Sequence, residues 1–276
     1  DGEVTKDPRN IFSESLSVDI MLGLVPDLVY RNIAAVIDNA HLEIAGKAFS
    51  AYASGLACLV DDEKDIGATV VDIGGGTTSI ATFKDGYPVY FSSIAVGGNN
   101  ITNDIAYGLT TSFTHAERLK TLYGYAFASR QDSEETINVY PVGEEDDSSI
   151  RQVPRSELTN IIQARVEEIF ELVSDRLDKI GLGDISSHRV VLTGGCSQLQ
   201  GIHEIAGPIL DKQVRIGRPR NLPLKESLCN PAFSTCMGLL LFALNYSEKK
   251  PGKLVNSPAR SSSGIERIFN WIKQNF

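Results

Sequence analysis

Two glycine-rich turns, with Gly74 and Gly194 standing 120 positions apart, hold the residue types that grip phosphate and nucleoside. The first lies in VVDIGGGTTSIATF, Val70 to Phe83, and the second in VVLTGGCSQLQGI, Val190 to Ile202. Without Cβ atoms, Gly74, Gly75 and Gly76 admit backbone conformations closed to other residues. They also bring main-chain N–H groups close to phosphate oxygens, and Thr77 and Thr78 add hydroxyl donors. Asp72, at the end of the β-branched run, is placed to hold Mg²⁺ through water, because that ion keeps most of its hydration shell. In the second turn Gly194 and Gly195, followed by Cys196, leave room for a flat ring against the backbone. Either turn alone also reads as a plain hairpin or strand–helix connection. Two in this order, with a helical block between them, point to a nucleotide clamped in a cleft.

These turns need strands and helices to hold them. Ala68 to Ala95 reads as a three-stranded meander, with GGGTT as its first turn and Asp85-Gly86 as its second. Ser15 to Val25 alternates as a strand, and Asp27 caps a helix from Leu28 to Ala40. Ala48 to Val60 suggests a strand leading into a tightly packed helix. Asn103 to Leu109 and His115 to Leu122 read as helices, and the acidic stretch Ser129 to Ser149 as a hairpin with a mobile tip. Ser156 to Ile180 is a long amphipathic helix, with Leu158, Ile162, Val166, Ile169, Val173, Leu177 and Ile180 on one stripe. Strand, turn and a helix from Ser197 follow, then a strand near Val214 and a helix from Ala232 to Leu244.

The 276 residues, 42% of them hydrophobic, suffice for a full core. A net charge of −9 argues against nucleic acid as the partner. Cys58, Cys196, Cys229 and Cys236 lack the spacing of a zinc site or disulfide framework, which suits a reducing cytoplasm. The longest apolar run, Cys236 to Leu244, is shorter than the roughly 20 residues of a membrane span. The polar start at Asp1, without methionine, reads as that of a fragment.

DIGGGTT, then AERLK leading to Gly124, then LTGGCSQLQGI resembles the actin, Hsp70 and sugar-kinase superfamily. Within it, YASGLACLVDDEKDIG before the phosphate turn, VGGNNITNDIAYGL after it and an amphipathic carboxy-terminal segment resemble the FtsA family of bacterial division actins. The resemblance implies an α/β, actin-like ATPase fold with RNase H-like lobes, truncated at the amino terminus. Residues 1–25 would end the inserted FtsA-specific subdomain, and 26–66 would finish the first nucleotide-binding lobe. The second lobe's core would be 67–97 and 184–246, with 98–183 as its small subdomain. A linker, 247–263, and a membrane-targeting helix, 264–276, would follow. Asp72 and Gly74 to Thr78 would bind the phosphates of ATP with Mg²⁺. Glu117 and Lys120 would meet the ribose and adenine edge, and Gly194, Gly195 and Cys196 would form the adenosine turn. By residue pattern alone Glu117 and Lys120 read as an ordinary exposed pair one helical turn apart, and His115 as a surface residue. Chaperones and bacterial actins of the superfamily place a Glu or Gln near the start of the helix before the phosphate turn to orient water. Ser50 to Ser54 offers none, so hydrolysis is expected to be slow or negligible.

On a helix, Ile265, Ile268, Phe269, Ile272 and Phe276 share roughly a 100° arc with Trp271 at its edge. Behind a polar linker such a segment suits the bilayer interface, tryptophan at headgroup level and cations toward anionic lipid. Each large apolar side chain fully buried there contributes about 1.5–3 kcal/mol, so one tail binds reversibly and many on a filament bind tightly. A linker of ~17 residues spans roughly 23 Å.

The resemblance further implies an FtsZ partner whose carboxy-terminal peptide docks on the small subdomain. There Arg151, Arg155 and Arg165 would meet its acidic groups and Glu168 a basic one, although exposed arginines are usually only solvated. Self-association into filaments, contacts with other division proteins and inner-membrane lipid complete the expected partners. The expected place is the cytoplasmic face of the bacterial inner membrane at the division site, where the protein anchors FtsZ filaments and helps assemble the septum. A sugar-kinase-like phosphotransferase is the alternative, but it would have no use for a lipid-seeking tail. A chaperone would need a substrate domain after Leu244.

Overall fold

β1 (Ala68–Ile73) carries six buried residues in a row, the mark of a strand covered on both faces. It is the middle of a five-stranded sheet ordered β3-β2-β1-β6-β7. β2 (Thr78–Lys84) and β3 (Tyr87–Ile94) continue from it as an antiparallel meander. β6 (Val190–Thr193) and β7 (Val214–Ile216) lie parallel to it on the other side. The β2–β3 turn sets Asp85 at φ 53° and Gly86 at φ 81°, the two left-handed positions that a Asp-Gly hairpin favours. The computed structural model describes residues 5, 11–127, 134–143, 149–179, 181, 189–220 and 228–248.

Alternate strand residues serve two cores. Val71, Ile73, Ile80, Val190 and Leu192 enter one cluster, while Val70, Ala81, Phe83 and Val191 enter the other. The first is completed by α4 (Gly98–Gly108), α5 (Phe113–Tyr123), α6 (Arg155–Asp178) and α7 (Ile202–Leu210). The expected stripe of α6 is buried from Leu158 to Leu177, and Ile180 lies outside the described residues. The second core rests on α2 (Ser50–Cys58) and α8 (Ser234–Glu248). A small residue lets α2 lie close on the sheet: a Cβ on Gly55 would come within 2.5 Å of the Phe83 ring of β2. α3 (Asp61–Ile66) follows α2 and leads into β1.

β4 (Thr136–Val139) and β5 (Arg151–Pro154) pair antiparallel as a separate ribbon. They form the hairpin expected around Ser129 to Ser149, with its strands displaced toward the carboxy-terminal side; 128–133 and 144–148 lie outside the described residues.

Four expectations are corrected. Ser15 to Val25 forms no strand and is exposed throughout; an alternating segment needs a neighbouring strand to pair with. α1 spans Asp27–Asn39 with no buried residue, and Asp27 sits inside its first turn, paired with Arg31 at 2.6 Å instead of capping it. Ala48 and Phe49 are not a strand either. After β6, a short 3-10 turn, Gly195–Gln198, precedes α7, which begins only at Ile202 past the left-handed Gly201. Among the described residues no helix is long and apolar enough to cross a membrane.

Candidate nucleotide site

The phosphate turn is closed by its own backbone: the Gly74 amide donates to the Thr77 carbonyl at 2.9 Å. Gly75, Gly76 and Thr77 between the strands are exposed. Among the described residues their amides donate to no acceptor, which leaves three N–H groups for an anion. The glycines are not there for left-handed backbone, since none of Gly74, Gly75 and Gly76 has a positive φ. That part of the sequence reading is corrected. The tight approach belongs to Gly97, where a Cβ would stand 2.7 Å from the Gly74 and Gly75 carbonyl oxygens. The first turn of α4 fastens itself there, with the Gly98 amide donating to Gly74 O at 2.9 Å and Asn99 to Gly75 O at 2.7 Å. Thr78 is buried and its hydroxyl donates to the Val96 carbonyl at 2.8 Å. Its proton is thus committed inside the fold, and Thr77 alone keeps an exposed hydroxyl.

Lys120 on α5 reaches the same helix start. Its Nζ donates to Gly98 O at 3.0 Å and to Thr102 Oγ1 at 2.8 Å, and pairs with Glu117 at 2.7 Å. The Thr102 hydroxyl also bonds the Glu117 carboxylate. Burial alone would raise the Glu117 carboxyl, but the bonds from Lys120 and Thr102 hold it below its ordinary value. The pair is therefore built into the α4–α5 junction and is no loose surface pair.

The second turn meets the first across the sheet. Gly194 is left-handed at φ 87°, and a Cβ on it would lie 2.4 Å from Asp72 Oδ1 and 2.5 Å from the Ile73 carbonyl oxygen. No other residue fits there. Cys196 lies against Gly98, whose added Cβ would be 3.5 Å from the Cys196 sulfur. Burial pushes this thiol up to about 11, with Lys120 pulling the other way. Gly98 thus adjoins the phosphate turn through its amide, Lys120 through its carbonyl and Cys196 through its Cα. Asp72, 7% exposed, accepts hydrogen bonds from Ser54 at 2.6 Å and Thr235 at 2.7 Å.

A family model described as cell division protein FtsA matches residues 69–238, the stretch that contains both turns and everything between them. The chain belongs to the FtsA family. FtsA of Agrobacterium fabrum is 40% identical over 283 residues, covering 100% of this chain and 63% of that protein. FtsA of Rhizobium meliloti is 38% identical over 280 residues, again covering 100% and 63%. The chain therefore spans about 63% of the length of these FtsA relatives. Among solved structures, MreB5 of Spiroplasma citri bound to ADP superposes with a TM-score of 0.63 at 19% identity, covering 81% of this chain and 67% of that one. The FtsA-family chain thus has the actin-like ATPase fold, as its motifs predict.

The expected partner residues of this FtsA-family chain already have partners inside it. Arg165 grips Asp104 at 2.5 and 2.9 Å and bonds Glu168, and the Asp104 bond raises its guanidinium further. Arg155 pairs with Glu135 at 2.7 Å, and Arg151 donates to the Leu109 carbonyl at 2.8 Å. These contacts hold α4, α6 and the β4–β5 ribbon together. Ile265, Ile268, Phe269, Trp271, Ile272 and Phe276 lie outside the described residues. Sequence reasoning did not assign Gly97, Thr102, Ser54 or Thr235 to the site. Only the doubled glycine of VGGNN signalled the first of them.

Proposed function

We propose that this chain is the ATP-binding and membrane-tethering part of an actin-like division protein that anchors FtsZ filaments at the inner membrane and helps assemble the septum. The observation that carries the reading is the meeting of three sequence-distant elements at Gly98: the Gly74–Thr77 turn, the Glu117–Lys120 pair and the Cys196 turn. Exposed amides suit phosphate oxygens, the Lys120–Glu117 pair suits ribose hydroxyls, and the Gly194–Gly195 backbone suits a base. A related fold solved with ADP supports the same class of ligand. Asp72 would hold, through water, the Mg²⁺ that accompanies ATP.

α2 carries no Glu or Gln over Ser50–Cys58, so ATP acts as a conformational ligand that is hydrolysed slowly. The closed form self-associates, and the polymer presents many copies of the Ile265–Phe276 segment to lipid at the division site. The FtsZ peptide would dock on the face formed by α4, α6 and the small ribbon.

Liposome sedimentation with and without ATP tests this reading. Sedimentation of the intact protein and its loss on removing Ile265 to Phe276, with circular dichroism unchanged, are expected. Sedimentation that survives the deletion refutes the tether, and absence of any ATP or ADP binding refutes the nucleotide site.

A further inference from the structure

Asp72 is a nearly buried carboxylate held, among the described residues, by two hydroxyls. It lies at the end of β1 with 7% of its surface exposed, and among the described residues it forms no ion pair. Its Oδ2 accepts from Ser54 Oγ on α2 at 2.6 Å and from Thr235 Oγ1 on α8 at 2.7 Å. The two hydroxyl oxygens stand 2.9 Å apart. Each hydroxyl has one proton, so the three contacts of this triangle share two protons. When both go to Oδ2, that oxygen is satisfied twice. Oδ1 is left against Gly194, in the seam between the phosphate turn and the nucleoside turn.

The neighbouring hydroxyl of α8 behaves alike. Ser234 Oγ lies 2.6 Å from Thr193 Oγ1 on β6, so two consecutive residues of α8 plug into the ends of two adjacent strands. Ser54 and Ser234 are both fully buried. Burying hydroxyls and a carboxylate with no cation beside them costs stability that apolar residues would not cost. A plain structural join between α2, α8 and the sheet would be made more cheaply by methyl groups.

We propose that Ser54 and Thr235 are positioning residues for Asp72, holding its carboxylate so that Oδ1 alone serves the hydrated divalent cation of a bound nucleotide. The proposal rests on the nucleotide reading above and adds to it a specific cause of magnesium dependence. Ser54 occupies part of the stretch from which a water-orienting side chain is missing, and there it supports the metal-facing carboxylate. Through Thr235 the same bond ties the occupancy of the cleft to the start of α8.

The test is the ratio of ATP dissociation constants measured in EDTA and in Mg²⁺, by calorimetry, alongside thermal unfolding. It is made in a form of the protein that includes the part by which the FtsA relatives exceed this chain. In the Ser54→Ala and Thr235→Val double variant this ratio falls about tenfold or more, because charge-assisted hydrogen bonds orient the carboxylate. ATP affinity in EDTA changes less than about twofold under the same argument. Thr235→Ser keeps the ratio of the unaltered protein. Ser54→Ala alone, which removes one donor and adds no bulk, lowers the ratio partway and serves if the double variant does not fold. A purely structural role would lower the melting temperature and weaken ATP equally with and without Mg²⁺, and that outcome overturns the proposal. An unchanged ratio in a folded Ser54→Ala variant overturns it as well. If the unaltered protein binds no ATP in either condition, the nucleotide reading itself fails first, a result distinct from both.

Discussion

A Cβ placed on Gly238 of α8 would stand 1.7 Å from the carbonyl oxygen of Ala53 on α2. The two helices that cover one face of the sheet therefore cross at backbone contact, and the obstacle to any side chain is main chain, which cannot swing aside. Gly238→Ala is expected to destabilise the protein by about 3 kcal/mol or more. Gly76→Ala, where nothing lies within 4 Å of the new atom, is expected to stay within about 0.5 kcal/mol. Urea unfolding of both variants checks the contrast, and equal midpoints would refute the close crossing.

Lys120 offers a way to tell the proposed nucleoside binding from the proposed phosphate binding. Its ammonium joins Glu117 to Gly98 O, while the exposed amides of Gly75 to Thr77 belong to another element. Lys120→Met is expected to weaken ATP by about tenfold and inorganic tripolyphosphate by much less. Isothermal titration with both ligands decides; parallel losses would mean that Lys120 serves the phosphates instead.

Glu63 makes stability depend on acid. Its carboxylate is bonded by Arg215 at 2.8 and 2.5 Å and approached by Arg189 at 3.4 Å, at the end of the sheet away from the turns. Burial opposes the charge, but Arg215, the Val60 amide and Arg189 outweigh it and hold the group below its ordinary 4.5. A depressed folded value means stability fully present above 4.5 and lost as pH falls through the folded value. Denaturant midpoints between pH 3 and 6 should fall with acid, and Glu63→Gln should flatten that slope.

Cys196 acts at the opposite end of the scale. Its folded value near 11 lies above the ordinary 9.0, so its contribution is complete below 9.0 and declines until the pH passes about 11. Cys196→Ala is expected to lessen the alkaline loss of stability in that window. At pH 8, iodoacetamide should modify exposed Cys236 well before Cys196, as mass spectrometry of timed samples would record.

Much of the site was legible along the chain because its parts are local. The run Val70–Phe83 declares a strand, a turn and a strand by β-branched residues around glycines, and Asp85-Gly86 announces its hairpin by the φ it needs. The stripe of α6 follows from spacing alone. The boundary of the helix after β6 was misread because Gly201, left-handed at φ 80°, delays α7 by five residues. Ser15 to Val25 alternates like a strand, but alternation describes a face and does not supply the neighbour that must pair with it.

What the sequence determined by itself was the set of groups on offer: two glycine turns at strand ends and a basic-acidic pair one helical turn apart. Tertiary structure alone decided which side chains remain available. Arg165 looked free until α4 brought Asp104 to it, Thr78 until Val96 took its proton, and Asp72 until α2 and α8 brought two hydroxyls to one oxygen. Helical spacing and turn chemistry are set by neighbours along the chain. The commitment of a hydrogen-bonding group is set by whatever packing brings within about 3 Å of it, from any distance in sequence.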